Sequence, residues 1–432
     1  MSRLPGRPLT FLLTGFSWLV LASLVGLAIL VGLVRGTPLP HWIRHAHVHA
    51  ALVGGVAQMI LGALLIFISP LLLTGRTQRE SHPLLFVTIN GSAAGMVVGF
   101  GLHNYTVIGV SGLFVVASFL WIARDTWLQA RQSLNAPPLN LWFYALAVLA
   151  LFGGLACGET MAFAWAQQSF GYIRLAHIHL NILGFITLAI VGTMHNLLPT
   201  VLNSPLHSPR LARAVMWLFP LGLAVLIAGF MNSSVMIEMA GGGVLVLSAA
   251  LYAANLFSTW VRSNHQGSAA SDHLLVATFF LVLTLVLGVL VAANNMAATP
   301  IMPFGSLHLV AYTHMALIGF ILQTIVGALS HLVPVTLAVR RVPSPKKRGP
   351  YLEHVTSLIN RWRTVQVASL SMGTMGLALL ASLTWNVPLS SPYVQGAMWA
   401  SCGLLLTGLT VFSVKLATIL WTEPEQIAGS HT

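Results

Sequence analysis

Apolar runs of roughly membrane-spanning length follow one another along the whole chain, separated by short polar breaks. They cover residues 10–34, 47–73, 84–102, 105–123, 140–163, 173–198, 212–231, 235–258, 274–293, 308–337, 365–386 and 393–420. About twenty apolar residues cross a bilayer as a helix, so the pattern predicts twelve transmembrane helices. The runs lack the two-residue alternation of barrel strands, and lipid demands a backbone that satisfies its own hydrogen bonds. The expected fold class is an all-α integral membrane protein.

Three runs open on an unusual polar sequence. Helix 2 begins Arg44-His45-Ala46-His47-Val48-His49, helix 6 begins Arg174-Leu175-Ala176-His177-Ile178-His179, and helix 10 begins Leu309-Val310-Ala311-Tyr312-Thr313-His314. Each continues with two glycines in one frame and then a proline: Gly54, Gly62 and Pro70; Gly184, Gly192 and Pro199; Gly319, Gly327 and Pro334. The frame recurs after about 130 residues, which accommodates four helices per unit. The chain is therefore expected to form one membrane domain, 1–432, built of three four-helix modules with pseudo-threefold symmetry. The modules run over roughly 10–125, 139–258 and 273–421. The glycines, lying on roughly one helix face, permit close approach of a neighbouring helix in lipid, and the prolines end or bend the helices.

Composition agrees with the pattern. Of 432 residues, 56% are hydrophobic and 6% charged, with a mean hydropathy of +0.85; soluble domains carry about 25% charged residues. The net charge of +12 follows from lipid topology. With both termini in the cytoplasm, every basic residue except Arg35, Arg44 and Arg174 falls on the inner side, as the positive-inside rule requires. This places the three polar openings near the outer face of a bacterial inner membrane. The basic stretch PSPKKRGP in the 338–364 connector suits anionic lipid. No aromatic-laced basic surface suggests nucleic acid. The first helix is too long for a signal-peptide core, and two cysteines far apart, Cys157 and Cys402, support neither a disulfide nor a sulfur-rich metal site.

On a helix, positions i and i+2 point about 200° apart. His47 and His49 therefore cannot readily clamp one ion, for which i, i+4 spacing suits; they serve two clefts on opposite sides of their helix. Three such helices enclose three clefts, each lined by one ligand position from each neighbour. Candidate ligands are His47, His49, His177, His179 and His314, with Tyr312 in the sixth slot. A lone intramembrane histidine is commonly a helix–helix hydrogen-bond partner, but five in six equivalent slots point to metal chemistry. Neutral imidazole binds iron and copper well. His45, one turn before His49, either joins it on a metal or is solvated at the interface.

At these residues the chain resembles the haem–copper oxidase subunit I superfamily. AHIHLNILGFITLAIVGTMHNLLP on helix 6 is similar to helix 10 of cbb-type oxidases and nitric oxide reductases, and to nitric-oxide-response haem–copper membrane proteins. The resemblance implies one or two b-type haems, with copper as an open option. It implies axial ligation by His47 with His314; the same rotation pairs His49 with His177 and His179 with Tyr312. His47 and His49 are exchangeable in this scheme. The chain also departs from the family. Tyr312 replaces the first helix-10 histidine, and helix 7, LARAVMWLFPLGLAVLIAGF, lacks the copper-binding histidine pair. Tyrosine can ligate haem iron, and His308, one turn earlier, is a further candidate there.

Arg44 and Arg174 stand three residues before His47 and His177, where they either bind haem propionates or snorkel to the interface. Glu159 and Glu238 lie near the same boundary, placed to pass protons, complete a metal site or pair with these arginines. His195 and His331, some ~24 Å further down their helices, belong to helix-end packing. The leading functional reading is a haem-binding electron-transfer protein near the outer face, with O2 or NO reduction as an open possibility. The second is a non-catalytic haem or copper protein for nitric-oxide response or metal handling, and the third a transporter, although transporter repeats are usually inverted or twofold. An oxidoreductase of this kind needs an electron donor from outside the chain, a separate subunit, cytochrome or quinol.

Overall fold

The computed structural model of the protein describes residues 6–74, 81–294, 296, 306–384 and 386–424, the side chains of 306–309 excepted. The described residues are helical, with no strand among them. Among the described residues, twelve helices are long and apolar enough to cross a membrane: α1 Pro8–Val34, α2 His41–Leu72, α3 Pro83–Gly101, α4 Tyr105–Gln132, α5 Leu139–Ala162, α6 Gln167–Leu202, α7 Pro209–Met231, α8 Val235–Arg262, α9 Ala269–Asn294, α10 Val310–Arg341, α11 Arg363–Leu383 and α12 Pro392–Trp421. The chain is a multi-pass membrane protein of the expected all-α class.

By internal contacts the chain divides into two compact units. One comprises Met1–Thr193 and Arg213–Ser248, the other Met194–Ala212 and Ala249–Thr432. The threefold repeat is visible in local packing, where each glycine-bearing helix is seated on the helix that precedes it. Gly54 and Gly62 of α2 meet Trp18 and Phe11 of α1; Gly184 and Gly192 of α6 meet Ala150 and Phe143 of α5; Gly319 and Gly327 of α10 meet Phe280 and Leu274 of α9. A β-carbon at Gly54, Gly184 or Gly192 would fall 2.5–2.6 Å from the neighbouring side chain, so only glycine allows this approach. In lipid, where hydrophobic burial gives helices no reason to associate, such tight packing supplies the attraction.

Two features depart from the sequence reading. The 338–364 connector contains a helix, Pro345–Asn360, whose buried Tyr351, Val355 and Ile359 form an i, i+4, i+8 stripe; Gly349 and Pro350 mask that short amphipathic pattern. In addition, α2, α6 and α10 are not uniformly α-helical. Each contains an eight-residue π-helical segment, Ala50–Ala57, Leu180–Thr187 and Met315–Leu322, starting immediately after the final histidine of its polar opening. Such i→i+5 segments are rare and cluster at functional sites. In the second, Thr187 Oγ1 donates to the Ile182 carbonyl five residues back, at 2.8 Å, as this wider turn allows.

Candidate functional site

The polar openings are regular α-helix, His41–His49, Phe170–His179 and Ser306–His314, so residues two apart diverge as expected. His47 turns toward α1, where its Nδ1 sits 2.8 Å from the Ala22 carbonyl and its ring lies over Gly26. His177 does the same toward α5, with Nδ1 2.7 Å from the Gly154 carbonyl and its ring over Gly158. Tyr312 lies against Gly288 of α9. The second slot behaves differently and alike in all three copies. His49, His179 and His314 each turn Nδ1 back on their own helix, to the carbonyls of His45, Leu175 and Val310 at 2.9, 2.8 and 2.8 Å.

A carbonyl oxygen only accepts, so each of these five Nδ1 atoms carries the proton and donates. Every one of the five imidazoles is thereby set in the tautomer whose Nε2 keeps its lone pair. Metal-ligating histidines are held in this way, with the non-ligating N–H on a carbonyl or carboxylate.

The structure brings His49 and His177 together. Their ring centroids are 6.4 Å apart and their planes 25° from parallel. An iron between two imidazoles needs about 2.0–2.1 Å to each nitrogen, and each nitrogen lies about 1.1 Å from its ring centre for bonds near 1.33 Å. Two imidazoles that held one metal between them would need centroids about 6.3 Å apart, and the observed 6.4 Å would accommodate one. Among the described residues, no three His, Cys, Asp or Glu side chains are grouped so that they could hold a metal ion. Two imidazoles alone are a poor cage for a bare ion, and would better suit a macrocycle that brings its own four nitrogens.

Phe100 of α3 walls this pair, its ring 4.8 Å from that of His49 and 5.6 Å from that of His45. Phe230 of α7 lies 4.9 Å from His179 in the corresponding way. His45, Arg44 and Arg174 are exposed, and His45 bonds weakly to the His41 carbonyl at 3.2 Å. His47 and His314 belong to different units, as do His179 and Tyr312. The side chain of His308 lies outside the described residues.

Asn181, which sequence reasoning missed, donates from Nδ2 to the His177 carbonyl at 2.7 Å and packs on Gly154. Its polar side chain within the apolar run LNILGF, four residues after His177, was the available signal. Glu159, the residue after Gly158, does not pair with an arginine among the described residues. Its carboxyl lies against Gly109 and Gly112 of α4, and its buried Oε2 has no hydrogen-bond partner. His195 packs edge-on to Tyr252, centroids 5.6 Å apart, consistent with a packing role.

A second polar cluster was not foreseen. Lys415 of α12 donates to Gln366 Oε1 of α11 at 2.6 Å, and Gln366 Nε2 donates to His273 Nε2 of α9 at 2.8 Å. His273 Nδ1 in turn meets Gln323 Oε1 of α10, and Gln323 Nε2 reaches Ser371 Oγ at 3.0 Å. Lys415 is 6% exposed and the two glutamines and His273 are 0% exposed. The four residues are scattered over 140 positions, and no local motif joins them.

Residues 139–307 match the family described as cytochrome c and quinol oxidase polypeptide I. Among solved structures, the chain is similar to a haem–copper terminal oxidase dimer determined by cryo-electron microscopy. The TM-score is 0.71 and the identity 11%, over 96% of this chain and 84% of that one. No curated protein matches the chain. The family match covers the span that carries α5, α6 and the His177–His179 opening, and the fold match extends to the whole set of membrane helices. These two findings show a fold shared with that oxidase over nearly the whole chain and a similarity to cytochrome c and quinol oxidase polypeptide I over residues 139–307.

Proposed function

We propose that this chain is an electron-transfer protein that holds a b-type haem between His49 and His177, near the outer face of a bacterial inner membrane. The observation that carries the reading is the 6.4 Å ring separation. It comes with Nδ1–H bonds that leave both Nε2 lone pairs for iron. When bound there, haem supplies a one-electron ferric/ferrous couple. The chain's own residues do the rest. The His45 and Gly154 carbonyls fix the two tautomers, Asn181 ties down the turn that carries His177, and Phe100 packs against the His49 ring. Exposed Arg174 and Arg44 suit propionate carboxylates through charge-assisted bonds. Were both His49 and His177 to hold the haem, the site would suit electron transfer rather than gas binding. The electron comes from a separate subunit, cytochrome or quinol.

A second reading, a haem protein of nitric-oxide response without turnover, is favoured by the missing helix-7 histidines and by the absence of a three-donor cluster among the described residues. Oxidised and reduced optical spectra with a pyridine haemochrome assay on the purified chain test the first reading. A low-spin b-type spectrum is expected, abolished or converted to high spin by His49→Ala and by His177→Ala. Wild-type protein without haem, or both variants keeping the low-spin spectrum, would defeat it. Measured consumption of O2 or NO by the reduced protein separates turnover from the non-catalytic reading.

A further inference from the structure

The two glycines of each repeat lie seven and fifteen residues after the first slot: His47, Gly54, Gly62; His177, Gly184, Gly192; Tyr312, Gly319, Gly327. On a continuous α-helix, seven residues turn about 700°, some 20° short of two turns. The next eight turn about 800°, some 80° beyond two turns. The second glycine should therefore swing about 80° away from the first. It does not. His47, Gly54 and Gly62 all meet α1, at Gly26, Trp18 and Phe11; His177, Gly184 and Gly192 all meet α5, at Gly158, Ala150 and Phe143; Tyr312, Gly319 and Gly327 all meet α9, at Gly288, Phe280 and Leu274. One residue too many is present between slot and second glycine, and in each copy a π-helical segment lies between them.

We propose that each π-helical segment is a positioning element that takes up this one extra residue, keeping the ligand slot and the glycine seat on the same neighbouring helix. A π turn holds one residue more than an α turn for the same rotation, so the flanking α-helical stretches keep the phase of an uninterrupted heptad. His177 faces its Gly154 and Gly158 seat because Leu180–Thr187 is wide. The same holds for His47 above Ala50–Ala57. The claim concerns where these side chains point and stands whether or not His177 holds iron.

The test reads both faces of α6 at once in the full chain, with Cys157→Ser and Cys402→Ser removing native thiols. Gly158→Cys with His177→Cys marks the upper contact, and Phe143→Cys with Gly192→Cys the lower. Oxidation should close both disulfides in the chain of natural length. Deleting Ile186 shortens the second interval to seven residues, and both disulfides should still form, each at more than half the natural-length yield. Inserting one alanine after Ile186 should turn the faces about 100° apart and cut one disulfide at least tenfold. Loss of either disulfide on deletion, or retention of both on insertion, overturns the proposal. Deletion of Val56 in α2 repeats the test with Gly26→Cys/His47→Cys and Phe11→Cys/Gly62→Cys. If neither shortened chain accumulates in the membrane while the natural-length one does, the proposal fails as well. Since no haem is needed for the readout, this disulfide pattern together with haem-free protein of the natural sequence would end the proposed function and leave the positioning role intact.

Discussion

A methyl group placed at Gly158 probes the haem reading at its narrowest point. The β-carbon of Gly158→Ala would lie 3.0 Å from Cε1 and 3.2 Å from Nδ1 of His177. Ordinary carbon contacts are about 3.5–4.0 Å, so the ring must withdraw by roughly 0.5–1 Å. It cannot withdraw freely, because Nδ1 is tethered to the Gly154 carbonyl at 2.7 Å. Metal–ligand distances tolerate only about 0.2 Å, so the displacement exceeds what an axial bond accepts. Overpacking of this kind costs about 1–3 kcal/mol, and at about 1.4 kcal/mol per factor of ten haem should be held roughly 5- to 150-fold less tightly. The assay is the haem-to-protein ratio and the reduced-minus-oxidised spectrum of purified Gly158→Ala beside Gly153→Ala. A β-carbon at Gly153 meets only Leu180, at an ordinary 3.4 Å, so this second variant should behave as wild type. Full haem content with an unchanged low-spin spectrum in both Gly158→Ala and the bulkier Gly158→Leu would refute His177 as the ligand.

Other outcomes follow from the same structure. Asn181→Ala removes the bond to the His177 carbonyl and should cost about 0.5–1.5 kcal/mol, read as a lowered thermal midpoint with haem partly retained. His45→Ala should leave the haem spectrum unchanged, since this ring is exposed and His49 keeps its backbone bond; loss of haem would make His45 a ligand. Gln366→Leu strands Lys415 and His273 together and should destabilise by about 1–3 kcal/mol for each buried group left unpaired. Lys415→Met added to it should therefore recover stability, which a double-mutant cycle on thermal unfolding would register. Glu159→Leu replaces a carboxyl whose Oε2 has no partner with an apolar side chain in an apolar groove. Its thermal midpoint should stay level or rise, and a fall would show that the carboxyl makes a needed contact.

Much of this protein was legible in its one-dimensional pattern. The twelve spans followed because a lipid-crossing helix requires a continuous apolar run, a condition each segment meets without help from its neighbours. The paired histidine slots were equally visible, since the divergence of residues two apart is a property of the isolated helix, and His47 and His49 do turn to different neighbours. The spacing of seven and then eight residues even carried the imprint of the π segments, in a form that a search for plain α-helical periodicity passes over. What the tertiary structure alone decided depends on residues remote in sequence. The Ala22 and Gly154 carbonyls select tautomers from another helix, and the Lys415, Gln366, His273 and Gln323 chain closes across four helices. His49 meets His177, 128 positions further along the chain. Such contacts are set by how helices are seated on one another at glycine-sized gaps, and no single run of residues encodes that.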